Sequence, residues 1–587
     1  MDNITIARLL EETAALLEID AADPFRIRSY RRAAEAVEQQ TIQLSTLVAD
    51  SKQLLAIPGI GKSMAANIVD LVATGTMPLR EELLTRYKAS MLELLRLPGM
   101  GPKTVALLWS ALQVADIDAL EEAAKAGHLA KLPRMGEKFA TKLLKGIEDY
   151  RRNSSRFRID QAREHADRIA ALIGEFPGID EITPAGSLRR GRETVGDLDL
   201  LVTGPACEPD VVAAAVEHVA ALPLIDKLLA KGQNKVSFTL GNGLQVDVRL
   251  LPRANYGAAL QYFTGSKMHN VALRQRAIKR GLTLNEYALA RLEDNTIVAA
   301  AKEEDIYRAL DLDYIPPEMR ENSGELEAAA NHTLPQLIAL TDIRGDLHMH
   351  TSETDGANTI HEMAEAALAR GLKYIAITDH SKNLAMARGM DDQRAIAHVK
   401  RIREVHAEMG GRIRVLAGIE VDILGEGELD LDDSTLAEMD IVIASVHSRF
   451  DQPIEQMTDR ILRAMENPHV RILGHPTGRK VLKRDPYALH IDTILKRAAE
   501  LGVAVEHNAS PARADLNDLH LRLAKQHGCK IVVNTDAHST SELDQMRYGI
   551  TQLRRAWLTP ADLLNTQPTA ESLLALMRQK NRARAKP

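Results

Sequence analysis

From Ile343 onward the chain alternates short apolar runs with amphipathic helical stretches, and most runs end in a histidine or a carboxylate. The runs are Tyr374–Thr378, Val415–Ile419, Ile441–Ser445, Ile472–Gly474, Val503–Glu506 and Ile531–Asn534. Strands separated by helices pair in parallel rather than as hairpins, so this repetition predicts a β/α barrel. Such barrels place their chemistry where the strands end. Fourteen of the 19 histidines lie after residue 340, many at those ends. The stations are Asp346-Leu347-His348-Met349-His350-Thr351, Asp355-Gly356, Thr378-Asp379-His380, Gly418-Ile419-Glu420, Ser445-Val446-His447, Gly474-His475-Pro476 and Asn534-Thr535-Asp536-Ala537-His538. His-x-His on a strand points both rings to one face, and mixed imidazole and carboxylate donors suit Zn²⁺ or Mn²⁺. One such pair is weak evidence, but seven stations point to a metal centre rather than to scattered core histidines.

A second constellation lies upstream, in Gly196-Asp197-Leu198-Asp199 and Gln245-Val246-Asp247-Val248-Arg249-Leu250. Both segments read as strands. Asp197 and Asp199 are two apart, so their carboxylates leave one face together, and Asp247 can project from a neighbouring strand. Converging carboxylates repel unless divalent cations neutralise them, and Mg²⁺ suits a few carboxylates plus substrate phosphates. Two ions would stabilise the attacking and leaving oxygens of a phosphoryl transfer. The preceding Gly186-Ser187-Leu188-Arg189-Arg190 offers backbone N–H groups, a hydroxyl and a cation to a triphosphate tail. A solvated strand end is the bland alternative.

Ile4 to about Tyr150 shows helical spacing and a weak repeat. Its units are Ile57-Pro58-Gly59-Ile60-Gly61-Lys62, Leu97-Pro98-Gly99-Met100-Gly101-Pro102-Lys103 and Leu132-Pro133-Arg134-Met135-Gly136-Glu137-Lys138. These look like helix-hairpin-helix units, in which Gly59, Gly61, Gly99 and Gly101 bring backbone amides to a phosphate while Lys62 and Lys103 add charge. Such contacts grip DNA without reading its sequence. The third unit lacks the first glycine. Pro24–Ala34 places Arg26, Tyr30 and Arg31 on a helix, as a cationic strip or simply a solvated face.

At 587 residues the chain has room for three to five domains. Its two cysteines, Cys207 and Cys529, are too few for a disulfide framework, which fits a reducing cytoplasm. Met1-Asp2-Asn3-Ile4 does not open a signal peptide, and no apolar run approaches a membrane span. The formal charge of −7 is unevenly spread. Residues 51–300 carry 33 Lys+Arg against 28 Asp+Glu, and residues 301–587 carry 36 against 44. Clustered ligands account for part of the acidic excess, so mean charge does not exclude a DNA partner.

The palm residues closely resemble those of family X DNA polymerases, the polymerase-beta-like enzymes. The likeness continues through Tyr262-Phe263-Thr264-Gly265-Ser266, Asn270, Arg274 and Gly281–Tyr287. It implies that Asp197, Asp199 and Asp247 hold catalytic Mg²⁺ or Mn²⁺. It also implies that Gly186, Ser187, Arg190 and Gly196 cradle the triphosphate. Tyr262, Phe263 and Gly265 would pack against the nucleotide sugar, Asn270 would meet its base, and Arg274 would lie near the template. Val195, Lys267 and Gln245 depart from the family pattern. The N-terminal likeness implies binding of a 5′-phosphate in a gap. Asn67 stands where the family's Schiff-base lysine falls, so lyase chemistry is expected to be absent or relocated.

The barrel stations resemble the polymerase and histidinol phosphatase (PHP) domain, with a trinuclear centre of Zn²⁺ and/or Mn²⁺. The resemblance implies one ion on His348, His350, Glu420 and Asp536, and a second on Glu420, His447 and His475. Asp355, His380 and His538 would hold a third. His361, His398, His406 and His507 read as ordinary surface or strand residues, and Arg449 and Arg513 as candidate phosphate ligands.

The expected architecture is multidomain α/β. It comprises a helical domain over 1–90, fingers over 91–150, a nucleotidyltransferase palm over 151–255 and a thumb over 256–317. A linker over 318–341 and a PHP barrel over 342–575 follow. The implied protein is a monomeric gap-filling repair polymerase. It would use deoxynucleoside triphosphates on gapped or primer-template DNA. Its barrel would act as a 3′→5′ exonuclease, with 3′-end processing or abasic-site cleavage as further activities. The alternatives are a polymerase fused to a small-molecule phosphoesterase, and a DNA-end scaffold with silent sites.

Overall fold

The computed structural model describes residues 3–38, 44, 47–48, 51–57, 59–95, 97, 99–133, 135–153 and 156–582. Its N-terminal part is helical, as the spacing predicts. Helices Asn3–Ile19, Pro24–Glu38 and Lys62–Thr74 bury Leu10, Leu17, Val37 and Ile68 in one core. Pro102–Leu112, Ile117–Lys125 and Glu137–Asn153 enclose a second core around Val105, Leu108, Leu120 and Ile147. One glycine of the first hairpin has a steric reason. Gly59 holds φ +101°, and a Cβ there would lie 3.1 Å from that of Ala36 and 3.3 Å from the Arg32 carbonyl oxygen. Lys62 opens its helix, exposed, while Lys103 is exposed in the first turn of the second.

A five-stranded sheet follows, ordered Glu181–Pro184, Asp197–Thr203, Gln245–Leu250, Lys235–Leu240, Ile225–Lys231. Asp197–Thr203 and Gln245–Leu250 run parallel, and the other neighbours run antiparallel. Helices Ile159–Gly174 and Val212–Ala220 cover one face through Ile169, Ile173, Val216 and Val219, burying the apolar positions of the central strands.

Tyr256–Thr264, Lys267–Ile278, a three-stranded antiparallel sheet and Glu303–Ala309 form the thumb around Leu273, Leu289, Ile306 and Tyr307. The expectation of a linker over 318–341 needs correction. Met319, Leu326 and Ala329 are buried in the thumb core, and Glu325–Ala330 is helical. Its alanines suit close helix packing, which composition alone does not distinguish from a tether.

The last region is a parallel sheet of seven strands in chain order: Gly345–Asp346, Tyr374–Ile377, Arg414–Asp422, Ile441–Ser445, Ile472–Leu473, Ala504–Asn508 and Ile531–Asn534. A parallel bridge between Met349 and Ala537 brings the last strand end back to the first, so the barrel is nearly closed. Alternate residues such as Ile441 and Ile443 point inward, and Val442 and Ala444 pack under the outer helices. Leu573 and Met577 of the Ala570–Arg582 helix join the inward cluster. Tyr374, Ile441, Ile472 and Ala504, which open their strands, belong to the same cluster. That leaves the opposite mouth for the polar residues. Among the described residues, no helix is long and apolar enough to cross a membrane.

Candidate active sites and family

In the palm, strand register brings the carboxylates together. Asp199 lies directly across from Asp247, and Asp197 precedes Asp199 on the same face. Burial, then the charges of Asp197 and Asp247, push Asp199 up to about 7. Such crowding favours a cation, and three oxygen donors on one rim fit hard divalent ions. Lys235 Nζ lies 3.3 Å from Asp247 Oδ1, partly offsetting the repulsion. Gly186 is required here: a Cβ would sit 2.6 Å from Asp199 Oδ2.

Several neighbours differ from expectation. Arg190 does not present its guanidinium to an open triphosphate site; it donates to the Thr264 carbonyl (2.5 Å) and to Glu321 (3.2 Å). Asn270 donates to the Tyr262 carbonyl at 2.7 Å and accepts from Gln261 at 2.8 Å, so it fixes the Tyr262–Phe263 turn. Arg274 Nε donates to the Leu284 carbonyl at 3.3 Å. Tyr262 and Phe263 stack edge-on at 5.1 Å, and Arg249 lies 4.2 Å over the Phe263 ring. Arg156, outside the motifs, is exposed, donates to the Thr194 hydroxyl (2.9 Å) and carbonyl (2.7 Å), and keeps Nη1 3.3 Å from the Cβ position of Gly196. In the N-terminal strip, Arg26 is exposed. Tyr30 is buried and takes a hydrogen bond from Asn67 Nδ2 at 2.8 Å, while Arg31 pairs with Glu18 (2.6 Å) and Glu11 (3.2 Å). Tyr30 is therefore a core residue, and the Arg31 charge is largely satisfied within the protein.

The barrel donors converge on Glu420. Its Oε1 lies 2.9 Å from His475 Nε2 and 3.4 Å from His447 Nε2. Its Oε2 faces His380 Nδ1 at 2.9 Å, His348 Nε2 at 3.3 Å and His350 Nε2 at 3.6 Å. Asp536 Oδ1 approaches His350 at 3.0 Å and His348 at 3.5 Å. Asp355 Oδ2 approaches His538 at 3.4 Å and His380 at 3.5 Å. Donor atoms converge in three groups: His348/His350/Asp536, His380/Glu420/His447 and His350/Asp355/His380/His538. His380 is thus shared between two groups, and His475 joins through Glu420. Glu420 Oε2, His348 Nε2 and His380 Nδ1 are buried without a well-aligned hydrogen bond, as fits ligand atoms aimed at a common centre. Burial alone would lower His380, but Glu420 and Asp355 outweigh it and raise it to about 10. With no such net gain, buried His350 falls to about 4. These three donor groups suit metal ions.

A supporting layer escaped the sequence reading. Glu506 Oε1 meets His348 Nδ1 at 2.7 Å, and its Oε2 accepts the His475 backbone N–H at 2.7 Å. Asp422 holds His447 Nδ1. His398 is not an ordinary surface or strand residue: it is buried, with Nε2 2.9 Å from Asp379. Asp379 in turn accepts from Thr351 at 2.8 Å. A carboxylate inside an apolar strand, as in Val503–Glu506, was the available signal. Such partners orient ligand rings and raise their basicity. Arg513 Nε lies 3.2 Å from Asp536 Oδ2, and Arg449 is exposed.

The two sites share a seam. Arg555 donates to the Arg190 carbonyl at 2.8 Å and pairs with Glu321 (2.9 Å) and Asp518 (2.6 Å). Gln552 donates to the Gly191 carbonyl at 2.7 Å. Gly191 has φ +68°, and a Cβ there would fall 2.0 Å from Thr551 Cγ2.

A carboxylate-rimmed palm joined to helix-hairpin-helix units and a metal-binding barrel is the build of a nucleic-acid polymerase fused to a phosphoesterase-type domain. Residues 1–77 match the helix-hairpin-helix domain model and 91–149 the SAM-like helix-hairpin-helix tandem. Residues 259–321 match the DNA polymerase beta thumb and 346–510 the PHP domain. The chain is 38% identical over 564 residues to the DNA polymerase/3′-5′ exonuclease PolX of Bacillus subtilis (strain 168), covering 96% of this chain and 97% of that protein. A probable phosphatase of Thermoanaerobacter sp. (strain X514) is 33% identical over 235 residues, 38% of this chain and 89% of that protein. The chain belongs to the PolX family of DNA polymerase/3′-5′ exonucleases, and its palm and barrel are the corresponding enzyme domains.

Proposed function

We propose that this enzyme fills short DNA gaps during repair and trims 3′ ends in its barrel. The observation that carries the reading is the rim of Asp197, Asp199 and Asp247, standing beside a second, complete donor set around Glu420. The palm carboxylates would hold Mg²⁺ or Mn²⁺. The barrel would hold up to three Zn²⁺ and/or Mn²⁺ ions on the donors grouped around Glu420. When bound, such ions neutralise phosphate charge and acidify a hydroxyl or water. In the palm, Ser187, the Gly186 backbone and Arg156 receive the triphosphate of a deoxynucleotide, and Asp247 accepts the proton of the primer 3′-hydroxyl. In the barrel, Arg513 orients the scissile phosphate. Arg26, Lys62 and Lys103 hold the DNA backbone and a 5′-phosphate. Cys207 and Cys529 are buried thiols, which fits action in the cytoplasm, and a monomer suffices because each donor set comes from one chain.

Paired extension and degradation of one labelled primer test this. Asp197→Ala or Asp247→Ala is expected to lower extension by about three orders of magnitude or more while degradation persists. His348→Ala or Glu420→Ala does the reverse, Glu420→Ala the more severely. Degradation at the parent rate by folded His348→Ala and Glu420→Ala proteins, checked by circular dichroism, would sink the nuclease assignment. The phosphatase relative motivates one control, hydrolysis of a small phosphomonoester in parallel.

A further inference from the structure

The segment Arg479-Lys480-Val481-Leu482-Lys483-Arg484 contains four cations and no acid. It begins four residues after His475 and folds into a tight hairpin, with Lys480 and Arg484 exchanging backbone hydrogen bonds at 2.8 Å. The root is rigid. Arg484 donates to the Gly478 carbonyl and stacks 4.1 Å from the Phe450 ring centre. Val481 N–H donates to the Ala512 carbonyl at 2.8 Å. Arg479 donates to the Arg513 carbonyl at 3.0 Å, and its guanidinium grips Glu193 of the palm. The hairpin is therefore fixed between the Arg513 corner of the barrel centre and the palm.

Its tip is free of such duties. Lys480 and Lys483 are exposed, with no ion pair among the described residues. Leu482 keeps 54% of its surface in solvent at φ +63°. Nearby carboxylates are engaged: Glu193 by Arg479, Asp536 by Arg513 and His350, and Asp515 by Thr477. Asp485, just past the hairpin, is exposed. Burial first, then the neighbouring Arg513 and Arg484 charges, hold the Lys480 ammonium below its ordinary range. Arg513, 3.2 Å from Asp536, supplies a cation at the barrel centre itself. Cations further out on a projecting hairpin serve a substrate with more phosphates.

We infer that the Lys480–Arg484 hairpin is the strand-binding element of the barrel site, its lysines holding phosphates of a single DNA strand as the 3′ end enters. Leu482 gives the strand an apolar contact against a base. The inference rests on the nuclease reading and explains how this barrel would prefer a polynucleotide to a small phosphoester.

The test uses the full chain in Mn²⁺ with two substrates, a labelled single-stranded oligothymidylate and bis(4-nitrophenyl) phosphate. Lys480→Ala/Lys483→Ala is expected to raise the oligonucleotide KM roughly tenfold at moderate salt. It should also flatten the plot of log(1/KM) against log salt by about 1.4, the value for two single-strand phosphate contacts. Hydrolysis of the small diester stays at the parent level, and Lys480→Arg/Lys483→Arg restores the KM. An unchanged oligonucleotide KM and salt slope overturn the inference. Equal loss on both substrates without rescue by arginine also overturns it, since that marks a distorted centre. If the parent hydrolyses the small ester but leaves the oligonucleotide intact, the nuclease reading itself fails, and that result is separable from the other two.

Discussion

The palm carboxylates stand on the rim of an open sheet, with Asp197 exposed, whereas the barrel donors lie inside a mouth where His348, His350 and Glu420 have at most 1% of their surface open. The palm set is three like charges held by strand register, with few partners of its own. The barrel set is a cage in which carboxylates and imidazoles already face one another, backed by Glu506 and Asp422. A like-charged rim is incomplete until ions and substrate arrive together, which suits a site that must admit a new nucleotide each cycle. A charge-balanced cage keeps its geometry between turnovers. The contrast separates an assembled site from a standing one.

Breaking the seam tests whether the two regions are independent. Arg555→Ala leaves half-buried Asp518 without this cation and Glu321 with Arg190 at 3.2 Å, and loss of one partner from such a network costs up to about 3–5 kcal/mol. It also frees the Arg190 carbonyl, so the nucleotide KM should rise while degradation of a primer is unchanged. Denaturant unfolding and steady-state extension measure the two effects. A drop in stability with no change in nucleotide KM would show that the regions merely touch.

The thumb offers a purely structural counterpart to the metal sites. Buried Glu303 pairs with Arg320 and Arg189, whose charges overcome burial and hold it down at about 2. Because this carboxyl is depressed from 4.5, its stabilisation is present above that value and fades as pH falls toward about 2. Glu303→Gln should therefore cost about 3 kcal/mol at neutral pH, with the gap to the parent closing over that acid window. A pH-independent gap in urea titrations would assign the effect to packing.

The smallest expected effect sharpens the idea of a standing cage. Glu506→Gln removes the charge behind His348 without touching the palm, and outer partners of this kind are worth roughly 10- to 100-fold in metal affinity. Elemental analysis after dialysis against graded chelator should show earlier metal loss, with extension unaltered. Retention equal to the parent would mean that the ligands alone hold the geometry.

The legible part of the chain was the part governed by local periodicity. The i, i+2 rule put Asp197 and Asp199 on one face, and the apolar runs located the barrel strands to within a few residues, most closely at Ile441–Ser445 and Ile531–Asn534. What escaped depends on partners distant in sequence. Nothing local to Arg31 announces Glu11 and Glu18, nothing near Tyr30 announces its burial against Asn67, and Arg190 is redirected by Glu321, 131 positions away. Glu506 and Asp422 were hidden because a carboxylate in a strand carries no mark of which ring it will meet.

The contact between Gly191 and Thr551 bears on how such a chain can change over time. Because a methyl group at position 191 would collide with Thr551, the turn before the palm aspartates is shaped to the barrel helix behind it. A descendant that shed the barrel would inherit a glycine with no neighbour to justify it and a bared Arg190 carbonyl. Loss of the C-terminal domain would thus strip the nucleotide turn of its packing on Thr551 and of its hydrogen bonds from Gln552 and Arg555.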